Sequence, residues 1–224
     1  MTMGFKTFTI FCTDRPGYFG TMPAHDPAKA EQLLSVLGLQ GYELVDKNAN
    51  LNDYPKDGDL YVGAYEGGVV IAHETLPALL FEEISRKRNF GSVEDNAVFR
   101  QAIHELFPTG EVTALILQSV VNMWGFSVYR KGELLRCASG AEGEFFGSSG
   151  TPLPEEESIL AEHPIETIDS GDVAYSEELV FEVARRVLGH RYDEDPAVDE
   201  LKCSHYKRRS APPGRKSLLS RLFG

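Results

Sequence analysis

The chain has 224 residues, a net charge of −12, 42% hydrophobic residues and 10% aromatic residues. A chain of this length buries roughly 70% of its unfolded surface, so it can build a sizeable core and needs neither a disulfide nor a metal staple. Residues 207 to 224 hold six basic residues and no acid, which leaves −18 on residues 1 to 206; a body that acidic argues against nucleic-acid binding by the folded part.

Cys12, Cys137 and Cys203 lie far apart with no C-x-x-C, which excludes the usual zinc and thioredoxin spacings, and an odd count fits a reducing compartment. The apolar run from Phe8 to Cys12 is too short for a signal peptide, and no stretch approaches the about 18 apolar residues that a spanning helix needs. A cytoplasmic location is expected.

Residues 5 to 12 are rich in strand formers, with Phe8, Ile10 and Cys12 on one face at period two. Asp26 then caps a helix with Pro27 at its first position, Ala30, Leu33, Leu34 and Leu37 on one side, and Gly38 as its stop. After a short strand at Tyr42 to Val45, the run DLYVGAYEGGVVIA reads as a hairpin turning through Glu66 and Gly67, with glycine supplying a positive φ. Two helices follow: one after Thr75 with Leu76, Leu79, Leu80 and Ile84 as its stripe, one after Ser92 with Val98, Ala102, Ile103 and Leu106.

Residues 112 to 121 are apolar at both parities, as expected of a central strand covered on both faces. Next, Trp124, Phe126 and Val128 face one way and Gly125, Ser127 and Tyr129 the other, before Lys131-Gly132 turns the chain into a strand from Glu133 to Ala138. GAEGEFFGSSGTPLPEEE reads as a loop, and a last helix starts at Ser176 with Leu179, Val180, Val183, Val187 and Leu188 inside and Gly189 as its stop. Segregated blocks joined by hairpin turns predict an α+β fold: a mixed, largely antiparallel sheet with helices packed on it. Residues 1–206 are expected to form one domain and 207–224 a basic, disordered tail.

Few residues suggest chemistry. The stretch with Gly140, Gly143, Gly147 and Gly150 lacks the Lys-Ser/Thr ending of a phosphate loop and carries Glu142 and Glu144, which repel phosphate. No G-x-S-x-G elbow is present, and Cys12 falls on an apolar face, so nucleophilic catalysis has no support. The six histidines form neither H-E-x-x-H nor a Cys/His cluster, and the acidic run from Asp193 to Glu200 is broken by Pro196 and lacks calcium-loop spacing. No metal and no cofactor is expected. Asp14, Arg15 and Tyr18 sit in a loop after the first strand, where scaffolds often place ligand-binding groups, although an Asp-Arg pair is equally an ordinary surface ion pair. In the tail, Arg215, Lys216 and Arg221 are interleaved with Leu218, Leu219, Leu222 and Phe223, a pattern suited to weak contact with an anionic membrane or a partner groove, or to no role at all.

SVVNMWGFSVYRKGELLRC followed by GTPLPEEESILAEHP resembles an uncharacterised bacterial family known only as a domain of unknown function. The likeness lies in Ser119 to Val128, Gly132 to Arg136, Gly150 to Pro154 and Glu162 to Pro164, and extends over roughly residues 59 to 190. It implies a bacterial source and an intact domain, and it supplies no catalytic residue. The expected function is that of a non-enzymatic interaction or regulatory protein whose acidic body meets a basic protein partner. The alternative is a small-molecule-binding protein or enzyme with a cleft between the first-strand loop and the Gly140–Pro154 stretch, anchored by Asp14 and Arg15 and walled by Trp124 or Tyr129.

Overall fold

In the computed structural model, residues 4–81, 93–168 and 175–209 are described. They form a nine-stranded sheet in the order β2-β9-β3-β4-β1-β5-β6-β7-β8. The strands are β1 (Lys6–Thr13), β2 (Tyr42–Asn50), β3 (Asp59–Ala64), β4 (Gly68–His73), β5 (Glu111–Gln118), β6 (Met123–Arg130), β7 (Glu133–Ala141), β8 (Glu144–Gly150) and β9 (Lys202–Arg208). Neighbours pair antiparallel throughout. The helices are α1 (Pro27–Val36), α2 (Val93–Leu106), α3 (Glu157–Glu162) and α4 (Tyr175–Leu188), an α+β protein.

β1 takes the middle position with β5 beside it, and both are buried on both faces, as their continuous apolar runs require. Phe8, Ile10 and Cys12 point to one layer with Leu33 and Leu34 of α1 and Ile103 of α2. Phe11 points to the other, with Trp124, Phe126 and Val128 of β6 and Leu179, Val180, Val183 and Val187 of α4. Asp26 caps α1 by accepting the N–H groups of Ala28 at 3.0 Å and Lys29 at 3.1 Å.

Several expected elements differ. Of the helix expected after Thr75, the described part is a 3-10 turn, Pro77–Leu80, with proline in its first turn; its continuation through Ile84, and Ser92, lie outside the described residues. In α2 the inward stripe runs through Phe99 and Ile103, while Val98, one step round the helix, is 63% exposed. The expected strand at Tyr42 to Val45 continues to Asn50, with register shifts at Leu44/Asp46 and Asp46/Ala49. Such bulges twist an edge strand and discourage pairing with another chain. The segment expected as a loop after Ala138 contains the end of β7 and all of β8. Here a Cβ on Gly140 would come within 2.8 Å of the Trp124 ring nitrogen, so glycine serves close packing and not a phosphate cradle.

β9 crosses the boundary expected at residue 207: Lys207 and Arg208 pair with β2, Lys207 also pairs with Asp59 of β3, and the Arg209 guanidinium meets Glu43 at 2.9 Å. The tail residues Arg215, Lys216, Leu218, Leu219, Arg221, Leu222 and Phe223 lie outside the described residues. No described helix is long and apolar enough to cross a membrane.

Candidate functional site

One row of residues runs across four strands at one end of the sheet: Gly68 of β4, Thr13 of β1, Glu111 of β5 and Arg130 of β6 stand side by side in register. The chain leaves β1 at this row and turns back over it. Gly17, at φ 65°, makes that reversal in the left-handed region glycine tolerates. Its N–H donates to the Arg186 carbonyl at 2.9 Å, and a Cβ on Gly20 would come within 2.0 Å of the Leu188 carbonyl oxygen. The loop after β1 is thereby pressed against the last turn of α4, and a cleft of about 380 Å³ opens between them. Residues 13–16 and 109–111, Arg130, Glu155 and Arg186 line it.

The charges in this cleft are arranged unequally. Arg186 of α4, its side chain 13% exposed, donates to both carboxylate oxygens of Glu111, at 2.9 and 2.7 Å, and to Glu155 at 2.9 and 3.0 Å. Arg130 donates to Glu111 at 3.0 Å. Burial pushes the Glu111 carboxyl upward, but its two guanidinium partners outweigh that and hold it below the usual carboxylate range. Burial likewise opposes the Arg186 charge, and its two carboxylates hold the proton more firmly than usual. Arg186 is therefore a strut, with its donors spent on tying β5 and the Glu155 segment to α4.

Arg15 and Arg130 are different. Arg15 bonds to Asp14 through Nε at 3.3 Å, its side chain 57% exposed, and Arg130 reaches Glu111 through one Nη with 52% of its side chain exposed. The Arg15 guanidinium rests 4.8 Å from the Tyr18 ring centre. Tyr18 is itself buried, its hydroxyl accepting the Gly67 N–H at 3.0 Å. The Thr13 hydroxyl accepts the Arg15 N–H at 3.1 Å and lies 3.0 Å from the Gly67 carbonyl.

Of the residues singled out from sequence, Asp14, Arg15 and Tyr18 come together here. Trp124 and Tyr129 do not. Trp124 pairs with Leu117 and Gly140 toward the far end of β6 and is buried in the α4 layer. Tyr129 faces the opposite layer and donates its hydroxyl to the Leu80 carbonyl at 3.0 Å. Their opposite parity on one strand keeps them from forming a common wall. The Gly140–Pro154 stretch contributes no lid; Glu155, just beyond it, is what reaches the cleft. Glu111, Arg130, Glu155 and Arg186 escaped sequence reasoning, because only the β5–β6 register and the docking of α4 bring them together.

Buried thiols and a His–Ser contact lie outside the cleft. Burial raises the Cys12 thiol far above its usual range and pushes Cys203 up to about 12. His25 sits 3.1 Å from the Ser204 hydroxyl, but its Nδ1 accepts the Ala64 N–H at 3.2 Å. The same Nδ1 lies 3.3 Å from the Ala64 carbonyl, and the Ser204 hydroxyl donates to the Lys47 carbonyl at 3.3 Å, so the serine proton is directed at the backbone and not at the ring. Among the described residues no three His, Cys, Asp or Glu side chains are grouped to hold a metal ion.

No curated protein and no solved structure matches the chain. The family likeness, by contrast, reaches well beyond residues 59 to 190 at both ends, and takes in the loop after β1, the row across the sheet, α4 and most of β9. The chain belongs to DUF6928, a family of unknown function, which it matches over residues 7–205.

Proposed function

We propose that this is a small-molecule-binding protein that receives an anionic group, a carboxylate or a phosphate, between Arg15 and Arg130. What carries this reading is the contrast among the three arginines of one cleft. Arg186 has spent its donors on Glu111 and Glu155, whereas Arg15 and Arg130 each make a single ion pair and remain more than half exposed at the mouth. Guanidinium groups with unspent donors, on either side of a concave site, suit a planar or tetrahedral oxyanion. With Asp14, Glu111 and Glu155 balancing the three arginines, the cleft is neutral within an acidic body, so recognition would rest on paired hydrogen bonds and not on long-range attraction.

Titration calorimetry of the full chain with inorganic phosphate and, in parallel, with citrate tests the proposal. Saturable binding is expected, weakened roughly tenfold by Arg15→Ala and by Arg130→Ala, the loss typical of one charge-assisted hydrogen bond. If neither anion binds, or if either variant binds as wild type does, the reading fails.

A further inference from the structure

Gly67 lies in the β3–β4 hairpin, where a glycine is expected to supply a positive φ, yet it is not among the glycines of positive φ. Backbone conformation therefore does not explain why this position lacks a side chain. Its surroundings do. A Cβ on Gly67 would come within 2.1 Å of Arg15 Nη2, 2.8 Å of Cζ and 2.9 Å of Nε, so the guanidinium lies over the space that a side chain would fill. At Gly68 a Cβ would come within 2.8 Å of two Tyr18 ring carbons and 2.9 Å of Phe19 Cζ. The two adjacent glycines thus form a bare shelf that seats first the Tyr18 ring and then, beside it, the Arg15 guanidinium.

We infer that Gly67 is a positioning residue of the cleft: by leaving this space empty it lets the Arg15 guanidinium rest against the hairpin backbone beside the Tyr18 ring, where it is held ready for the anion. The inference rests on the anion-binding reading given above. Three contacts brace the shelf: the Gly67 N–H to the Tyr18 hydroxyl at 3.0 Å, the Thr13 hydroxyl beside the Gly67 carbonyl at 3.0 Å, and the ring face under the guanidinium at 4.8 Å. Asp14 occupies Nε at 3.3 Å, and among the described residues the Nη groups make no hydrogen bond. A long cationic side chain in solution samples many rotamers; one held on a shelf has already lost that freedom before the ligand arrives, which is how preorganisation raises affinity.

The three nearest contacts of a Cβ at Gly67 all belong to the far end of the Arg15 side chain, so Gly67→Ala should displace the guanidinium while the hairpin stays intact. The test is calorimetric titration of the full chain with inorganic phosphate and with citrate. Wild type, Gly67→Ala, Arg15→Ala and the double variant are compared, with melting temperatures recorded alongside. Gly67→Ala is expected to weaken binding roughly tenfold, as Arg15→Ala does, and the double variant to bind no more weakly than Arg15→Ala alone, since both changes remove one interaction. Melting temperatures should agree within a few degrees. Wild-type binding by Gly67→Ala beside a loss in Arg15→Ala overturns the inference and leaves the cleft reading standing. Additive losses in the double variant also overturn it, as does failure of Gly67→Ala to fold, since a Cβ would then be meeting more than Arg15. Wild-type binding by Arg15→Ala removes the cleft reading itself.

Discussion

Asp53 and His73 lie away from the cleft and pull stability in opposite directions with pH. Asp53 follows β2, takes the Tyr192 hydroxyl as a donor, and has its carboxyl pushed from 3.8 up to about 7, chiefly by burial. Between these values the folded chain keeps a proton that the unfolded chain has lost. The Asp53 contribution is therefore complete below about pH 3.8 and lost as pH rises through about 7. His73 is buried; its Nδ1 accepts the N–H groups of Thr75 at 3.1 Å and Leu76 at 3.3 Å, and burial lowers it from 6.5 to about 4. Its contribution is complete above about pH 6.5 and lost as pH falls through about 4. Replacing Asp53→Asn keeps an acceptor for Tyr192 while removing the first slope. Urea denaturation from about pH 4 to about pH 7 should then show the stability of the variant relative to wild type growing toward neutrality. Equal slopes in the two proteins would refute the assignment.

At the level of elements, the β7–β8 hairpin and the turn that follows depend on one interior ion pair. Arg136 of β7 reaches Glu156 at 2.9 Å with side chains 2% and 0% exposed, and Glu156 also accepts the Leu153 N–H at 2.8 Å. This pair holds the segment that delivers Glu155 to Arg186. Removing one partner strands a buried charge, so Glu156→Ala should cost about 3–5 kcal/mol by chemical denaturation. The double replacement Arg136→Met with Glu156→Leu should recover most of that loss, because an apolar pair of similar volume avoids the desolvation of both ions. If the double variant is no more stable than Glu156→Ala, hydrogen bonding to Leu153 and Ser148, and not charge burial, dominates.

For the molecule as a whole, β9 is the piece that joins the outermost β2 to the rest of the sheet, since it lies between β2 and β3. Arg208 donates its N–H to Gly58 at 2.9 Å, and Arg209 donates its own to Gly41 at 2.9 Å. A chain ending after Tyr206 loses the partners of Tyr42, Glu43 and Asp59. It should melt several degrees below one ending after Arg209; equal melting temperatures would mean that the last ladder positions contribute nothing.

Strands β1, β3, β4 and β6, the Asp26 cap and helix α4 were legible in the residues, because each carries its own periodicity and its own stop signals. β8 and β9 were not. EFFGSSG is poor in strand formers outside its two phenylalanines and KCSHYKR has no clean alternation; both are strands because neighbours supply hydrogen bonds and cover, a context that strand propensity does not contain. The cleft divides in the same way. That Asp14, Arg15 and Tyr18 follow a strand in a loop suited to ligands could be read locally, as could the acidic character of the body. Which arginine has all its donors spent and which keeps some exposed, and why position 67 is glycine, depended on strand register, the docking of α4 and the return of the first loop onto the hairpin. Those are contacts between residues dozens to more than a hundred positions apart, and only packing in three dimensions decides them.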